Sequence, residues 1–235
     1  MEGFQEVLRT EKKYPVGRKT AGQIEARLSY LLPLDEHCKN GKPYLVRSLY
    51  FDSLYDQDYF QKESGLELRK KIRLRTYGAD GAIKLEWKRK QGKMQKKTSL
   101  TVSKEEAECL IRGDYGFLKE RREETALRLY GLMTEAVYRP KCMIEYQRLA
   151  FTVPVNDIRI TLDSQITSQE GSFSLFNEHQ GGYPVIGYGR AVLEVKYNHF
   201  LLDYIRTALY SYDLVEAAEG KYSASRYFGL GGSKL

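Results

Sequence analysis

The chain has 235 residues, enough for one large domain or two small ones with a substantial core. Hydrophobic residues make up 42% and charged residues 29%, the composition of a soluble globular protein, and no apolar run approaches the roughly 20 residues of a membrane span. Lys and Arg outnumber Asp and Glu by 38 to 31, a formal net charge of +7, so the partner class is anionic: nucleic acid, a membrane surface or a polyanionic small molecule.

Period-two alternation marks strands and period 3.6 marks helices. In chain order the pattern predicts a strand at Leu8–Val16, a helix at Ala21–Leu32 and strands at Tyr44–Phe51, Leu66–Tyr77, Ala82–Lys90 and Gln95–Val102. A helix follows at Ser103–Arg112, where Ser103 and Glu106 form a capping box that satisfies two free N–H groups. A further helix covers Leu118–Thr134, then strands Lys141–Val153 and Asp157–Asp163, a Gly/Ser/Gln-rich loop Ser164–Arg190, a strand Ala191–Tyr197 and a helix Phe200–Val215. Leu66–Tyr77 and Ala82–Lys90 flank Gly78-Ala-Asp-Gly81, a hairpin signal that favours antiparallel pairing over a doubly wound sheet. The expected fold is α+β: a closed eight-stranded antiparallel β-barrel with helices packed outside, as a single domain over residues 1–235.

The strand faces carry the chemistry. Successive side chains point to opposite faces, so Glu67, Arg69, Lys71, Arg73 and Arg75 share one face, against Leu66, Leu68, Lys70, Ile72 and Leu74. Lys84, Glu86, Lys88 and Lys90 oppose Ile83, Leu85 and Trp87 in the next strand. Arg159, Thr161 and Asp163 oppose Ile158, Ile160 and Leu162; Glu194 and Lys196 oppose Leu193, Val195 and Tyr197; Arg9, Glu11 and Lys13 share a face, as do Tyr146 and Arg148. Any one of these strands fits an ordinary sheet with its polar face in water. Taken together, with helices to cover the apolar faces, they predict charged faces turned inward.

The inner set is Arg9, Lys13, Arg73, Arg75, Lys84, Lys88, Arg148, Arg159 and Lys196 with Glu11, Glu86, Asp163 and Glu194, a surplus of five cations. Confined like charges cost several kcal/mol each, on the order of the penalty for an unpaired buried ion, so the surplus calls for a polyanion. A triphosphate matches that charge, and Arg forks match its oxygens two at a time. The carboxylates suit Mg²⁺ or Mn²⁺.

Other chemistries lack their residues. Cys38, Cys109 and Cys142 are odd in number, widely spaced and without a CxxC, against a zinc site or disulfide framework and in favour of a reducing cytoplasm. The opening MEGFQEVLRTEKKY has no apolar stretch of a secretory signal, so cytoplasmic localisation is expected. The terminal Ser233-Lys234-Leu235 matches the peroxisomal tripeptide and is read as accidental. No P-loop is present; Gly187-Tyr-Gly189 lacks a third glycine and reads as loop. His37, His179 and His199 lie outside the strand motifs and read as surface or packing residues.

Several segments, in order, resemble a known family: Glu11-Lys-Lys-Tyr14, Ser48-Leu-Tyr-Phe-Asp-Ser53, Arg73-Leu-Arg75, Lys84-Leu-Glu-Trp-Lys-Arg-Lys90, Tyr146-Gln-Arg-Leu-Ala-Phe151, Arg159-Ile-Thr-Leu-Asp163, Glu194-Val-Lys-Tyr197 and Ser225-Arg-Tyr227. Together they look like the catalytic domain of the vacuolar transporter chaperone (VTC) polyphosphate polymerase, within the triphosphate tunnel metalloenzyme or CYTH-like superfamily. The resemblance implies growth of inorganic polyphosphate from the γ-phosphate of ATP with Mn²⁺ or Mg²⁺, inside a tunnel, with no nucleic acid as partner. It assigns phosphate contacts to Lys13, Arg73, Arg75, Lys88, Arg148 and Arg159, a hydrogen bond to Tyr146 and the metal to Glu194, with Glu11 the weaker ligand. Lys84 shares the phosphate-binding face, Lys196 and Ser225-Arg226 close the tunnel end, and either Lys96 or Lys97 matches a further family lysine. Two departures stand out. Arg226 replaces the family's usual Lys, keeping the charge but not the shape. The first strand reads Arg9-x-Glu11-x-Lys13 where hydrolytic relatives carry Glu-x-Glu-x-Lys, which leans toward transfer rather than hydrolysis. The rival expectations are a triphosphatase or adenylate-cyclase-like enzyme of the same fold, and a binding module without turnover.

Overall fold

The period-two segments form strands joined by helices that cover their apolar sides. The computed structural model describes residues 9–78, 81–92, 94–176, 181–217 and 220–230. His179 and Ser233-Lys234-Leu235 fall outside them. The elements are β1 (Arg9–Gly17), α1 (Arg18–Leu31), β2 (Tyr44–Asp52), α2 (Gln57–Glu63), β3 (Leu68–Tyr77), β4 (Ile83–Gln91), β5 (Met94–Val102), α3 (Lys104–Arg112), α4 (Glu124–Glu135), β6 (Arg139–Val153), β7 (Ile158–Gln169), β8 (Tyr183–Pro184), β9 (Arg190–Asn198), α5 (Asp203–Tyr210) and α6 (Lys221–Gly229).

The chain divides into two compact units, with boundaries inside β2, β6 and β7. The first comprises Met1–Leu45, Tyr146–Ile166 and Ile186–Glu219. Its strands run β1-β9-β7-β6, with β9 antiparallel to both β1 and β7. One face carries Val16, Ile160, Leu162, Leu193 and Val195, packed with Ile24 and Leu28 of α1 and Ile205 and Leu209 of α5. Burying each such side chain contributes roughly 1.5–3 kcal/mol.

The second unit comprises Val46–Glu145, Thr167–Val185 and Gly220–Leu235. Its strands run β6-β2-β3-β4-β5, and β8 pairs with the end of β7. Leu49, Phe51, Ile72, Leu74, Leu85 and Leu100 pack with Ala107 and Leu110 of α3 and Ala126, Leu129 and Met133 of α4. The capping box holds: Ser103 Oγ accepts from the Glu106 N–H (3.1 Å) and Glu106 accepts from the Ser103 N–H (2.8 Å).

Four expectations change. The expected helix Phe200–Val215 is shorter, as α5 runs only from Asp203 to Tyr210. The hydrogen-bonded strand path has two ends, β1 and β5, which do not pair among the described residues, so the expected closed eight-stranded barrel is an open path of strands. The expected strand Asp157–Asp163 continues to Gln169, and β8 lies within the stretch read as loop. The expected helix Leu118–Thr134 is a 3₁₀ turn at Gly116–Lys119 followed by α4, with Arg121 between them bonded to Glu106, Glu123 and the Thr101 carbonyl.

Candidate functional site

In the second unit, register places one charged face across four strands. Arg73 pairs with Tyr50 and Glu86, Arg75 with Ser48 and Lys84, and Lys71 with Lys88, which in turn pairs with Lys97. The opposite face is the apolar core, so these cations cannot turn away from one another. Arg73 and Arg75 are 8% and 6% exposed and Glu86 is 0%, so the ordinary reading of a solvated polar face fails here. Glu86 is the hub. Arg73 reaches its Oε2 through Nε and Nη2, both at 2.6 Å, Arg75 Nη1 lies 3.9 Å away and Lys97 Nζ contacts Oε1. Burial alone would raise the Glu86 pKa, but Arg73, then Arg75 and Lys97, hold it well below the usual carboxylate range. Of Lys96 and Lys97, Lys97 is the one that lies on this face.

Arg75 also donates to Ser48 Oγ (3.0 Å), and Arg73 donates through Nη1 to the Tyr50 hydroxyl (2.9 Å). Tyr50 is fully buried, which pushes its phenol up. Arg73, Lys71 and Arg75 more than reverse this, bringing it down to about 8. Lys84 and Lys88 sit half-buried on the same face.

Helix α6 supplies Ser225 and Arg226. Ser225 is fully buried, its hydroxyl on Ser168 and its carbonyl accepting from Tyr183 Oη (3.2 Å). Arg226 pairs with Asp56 (3.0 Å) and Glu170 (3.2 Å). Tyr222 stacks on Tyr50 with centroids 5.1 Å apart and donates to Asp52 (2.6 Å). Asp52 also accepts the N–H groups of Asp58 and Tyr59, at 2.9 Å each, which anchors the start of α2.

The first unit has a second charged face. Arg148 grips Asp163 with Nε–Oδ1 and Nη2–Oδ2 both at 2.7 Å, and lies 5.2 Å from the centre of the buried Tyr146 ring. Burial opposes the Arg148 charge, but Asp163 above all keeps it firmly protonated. Arg159 pairs with Asp35 (3.0 Å) and donates to Tyr44 Oη (3.2 Å). Lys13 pairs with Glu11 (3.1 Å) and Lys196 with Glu194 (3.0 Å), Glu11 lying 3.8 Å from Lys196. Arg9 stands opposite Asn198 at the end of the same ladder.

Among the described residues, no group of three or more His, Cys, Asp or Glu side chains is placed to hold a metal. The donors present are Glu194 and Glu11, plus Thr161, the register partner of Glu194, whose buried Oγ1 has no hydrogen-bond partner. These few hard oxygens do not make an all-protein cage. They fit a hard divalent cation that takes its remaining ligands from outside the protein.

The sequence reading missed Tyr50, Tyr222, Asp52, Asp56 and Glu170 around the second unit's cations, and Asp35 and Tyr44 around Arg159. The segment Ser48–Ser53 was the available signal, since its alternation places Ser48, Tyr50 and Asp52 on one face. His37, read as a surface or packing residue, is exposed, with Nδ1 2.7 Å from Asp35 Oδ1.

The fold has relatives among solved structures. A candidate adenylate cyclase from Bacillus halodurans superposes with a TM-score of 0.55 at 15% identity, covering 91% of this chain and 94% of that one. A candidate adenylyl cyclase from Hippeastrum, described as having a dominant triphosphatase activity, gives 0.55 at 11% identity over 95% and 96%. At such identities the likeness is one of fold. No curated protein sequence matches significantly. The sequence model of the VTC domain matches residues 8–228, across both units and every charged strand described above, and the chain belongs to the VTC domain family.

Proposed function

We propose that this protein is a metal-dependent phosphotransferase that moves the γ-phosphate of ATP onto the end of inorganic polyphosphate. The observation that carries the reading is the convergence of Arg73, Arg75 and Lys97 on the single carboxylate of Glu86. A buried face with more cations than carboxylates favours a polyanion, and Arg forks suit phosphate oxygens. The reading takes residues 1–235 as one functional domain, the family match running across both units.

Phosphate chains bind to Arg73, Arg75, Lys84 and Lys88 on one face and to Lys13, Arg148, Arg159 and Lys196 on the other, with Tyr146, Ser225 and Arg226 as further contacts. A divalent cation on Glu194 and Glu11 would supply charge neutralisation at the phosphates. The acceptor is a terminal polyphosphate oxygen that is already ionised. It forms the new bond to the γ-phosphorus as the bond to the β,γ-bridging oxygen breaks and ADP leaves, so no strong base is needed. The protein's contribution is positioning and electrostatics. No helix among the described residues is long and apolar enough to cross a membrane, and we take the site of action to be the cytoplasm.

One observation favours hydrolysis instead. Asp35 holds both His37 and Arg159, and an imidazole so oriented beside a phosphate-binding arginine can activate water. Incubation with ATP and Mn²⁺ or Mg²⁺ tests the two. Acid-labile polymer with stoichiometric ADP supports the polymerase. Free phosphate without polymer replaces it with a triphosphatase, and tight binding without turnover leaves a binding module.

A further inference from the structure

We propose that the Tyr50 hydroxyl is a further phosphate-oxygen donor on the β3–β4 face, held in position by Arg73. The proposal rests on the phosphate-chain reading above. Tyr50 lies in β2 directly opposite Arg73 in register, and its side chain falls on the cationic face rather than in the apolar core. Its oxygen accepts from Arg73 Nη1 at 2.9 Å, while Nε and Nη2 of the same guanidinium engage Glu86. One phenol oxygen can accept and donate at once. Among the described residues the Tyr50 hydroxyl has an assigned donor but no acceptor for its own proton. A buried O–H without an acceptor costs free energy unless a ligand accepts from it.

The surroundings narrow the ligand to an anion. From β3, Arg73, Lys71 and Arg75 all act on Tyr50, with Lys71 Nζ 5.4 Å from the ring centre. From α6, Tyr222 stacks against the ring, with its own hydroxyl committed to Asp52. From β4, Glu86 lies behind Arg73. The ring is thus fixed on one side by stacking and its oxygen is fixed by Arg73. A phosphate oxygen that meets Arg73 or Arg75 is the acceptor this arrangement suits.

The proton is also the weak point of such a donor. The same cations bring the phenol down to about 8. Below that the hydroxyl donates to phosphate. Above it the phenolate cancels one cation and repels the ligand.

The test is calorimetric binding of inorganic tripolyphosphate to the full chain and to Tyr50→Phe between pH 6.5 and 9.5. The ligand's own protonation cancels in the ratio of the two affinities. Wild type should bind about tenfold more tightly at pH 7, the size of one charge-assisted hydrogen bond. The advantage should shrink through pH 8 and be gone by pH 9.5. Tyr222→Phe should keep the wild-type pH dependence. A ratio near one at pH 7, or one flat across the range, overturns the role of Tyr50 while leaving the phosphate reading intact. No binding of tripolyphosphate by wild type overturns both. If Tyr50→Phe does not fold, absorbance titration of the wild-type tyrosines decides. A phenol titrating near pH 8 and shifted upward by tripolyphosphate supports the proposal, and no such phenol, or no shift, overturns it.

Discussion

The two charged faces look alike in sequence and differ in charge balance. In the first unit four cations each have a carboxylate: Arg148 with Asp163, Arg159 with Asp35, Lys13 with Glu11 and Lys196 with Glu194. In the second unit Arg73, Arg75 and Lys97 converge on one carboxylate, Glu86. The surplus counted from sequence is therefore not spread over the strands. It gathers around Glu86, while the first unit sets most of its face cations against carboxylates one to one.

The sharpest way to break this comparison is the double variant Arg73→Ala, Arg75→Ala. Two charge-assisted contacts of about 1.5–3 kcal/mol each predict at least a ~100-fold loss of tripolyphosphate affinity by calorimetry. Unchanged affinity in a folded protein would falsify the second unit as a phosphate face. In the balanced unit the effect should fall on stability instead. Asp163→Asn leaves Arg148 buried without its carboxylate and should cost about 3–5 kcal/mol in a denaturant melt.

Acid dependence distinguishes the faces next. Glu86 is held below its unfolded value of about 4.3, so its stabilisation is present above that pH and is lost as pH falls toward its folded value. Glu86→Gln should lower stability near neutrality, flatten the wild-type decline below about pH 4 by on the order of 2 kcal/mol, and respond more strongly than wild type to added tripolyphosphate. The smallest effect belongs to the edge. Lys97 is nearly half exposed, so Lys97→Met should weaken tripolyphosphate binding only several-fold, about 1 kcal/mol, whereas Lys96→Met should not alter it.

Much of the fold was legible where alternation was clean. The face of β3 from Arg69 to Arg75 and its hairpin with β4 follow directly from period two and the intervening glycines. The run after Asp163 was not legible, because Gln165 adopts a positive φ of 51° that interrupts the alternation although pairing continues. Short polar helices were also missed. α6, Lys-Tyr-Ser-Ala-Ser-Arg-Tyr-Phe-Gly, has no apolar stripe and is held by hydrogen bonds and ion pairs. Of the charged faces, the arginines and the carboxylates Glu86 and Asp163 were legible, whereas Asp35, Asp56 and Glu170 were not. Asp35 reaches Arg159 from an irregular segment tied to β6 by the isolated bridge Leu34–Phe151 and by Cys38 on Ala150, tertiary contacts without a local pattern. The Lys96 or Lys97 ambiguity has the same origin: β4–β5 register is set by a turn in which Gly92 takes φ 56°, and a one-residue slip exchanges the faces.

The end position of β5 has a consequence for solubility. A terminal strand presents unpaired backbone groups that can template association with another chain, and lysines are a common safeguard. Residues 94 to 97 are exposed, with Lys96 and Lys97 on opposite faces of the strand. Lys97 is therefore drawn toward Glu86 by charge while also helping to keep the edge hydrated. Substitutions at this strand are therefore expected to bear on self-association as well as on the charged face, and a Lys97 variant should be checked for self-association.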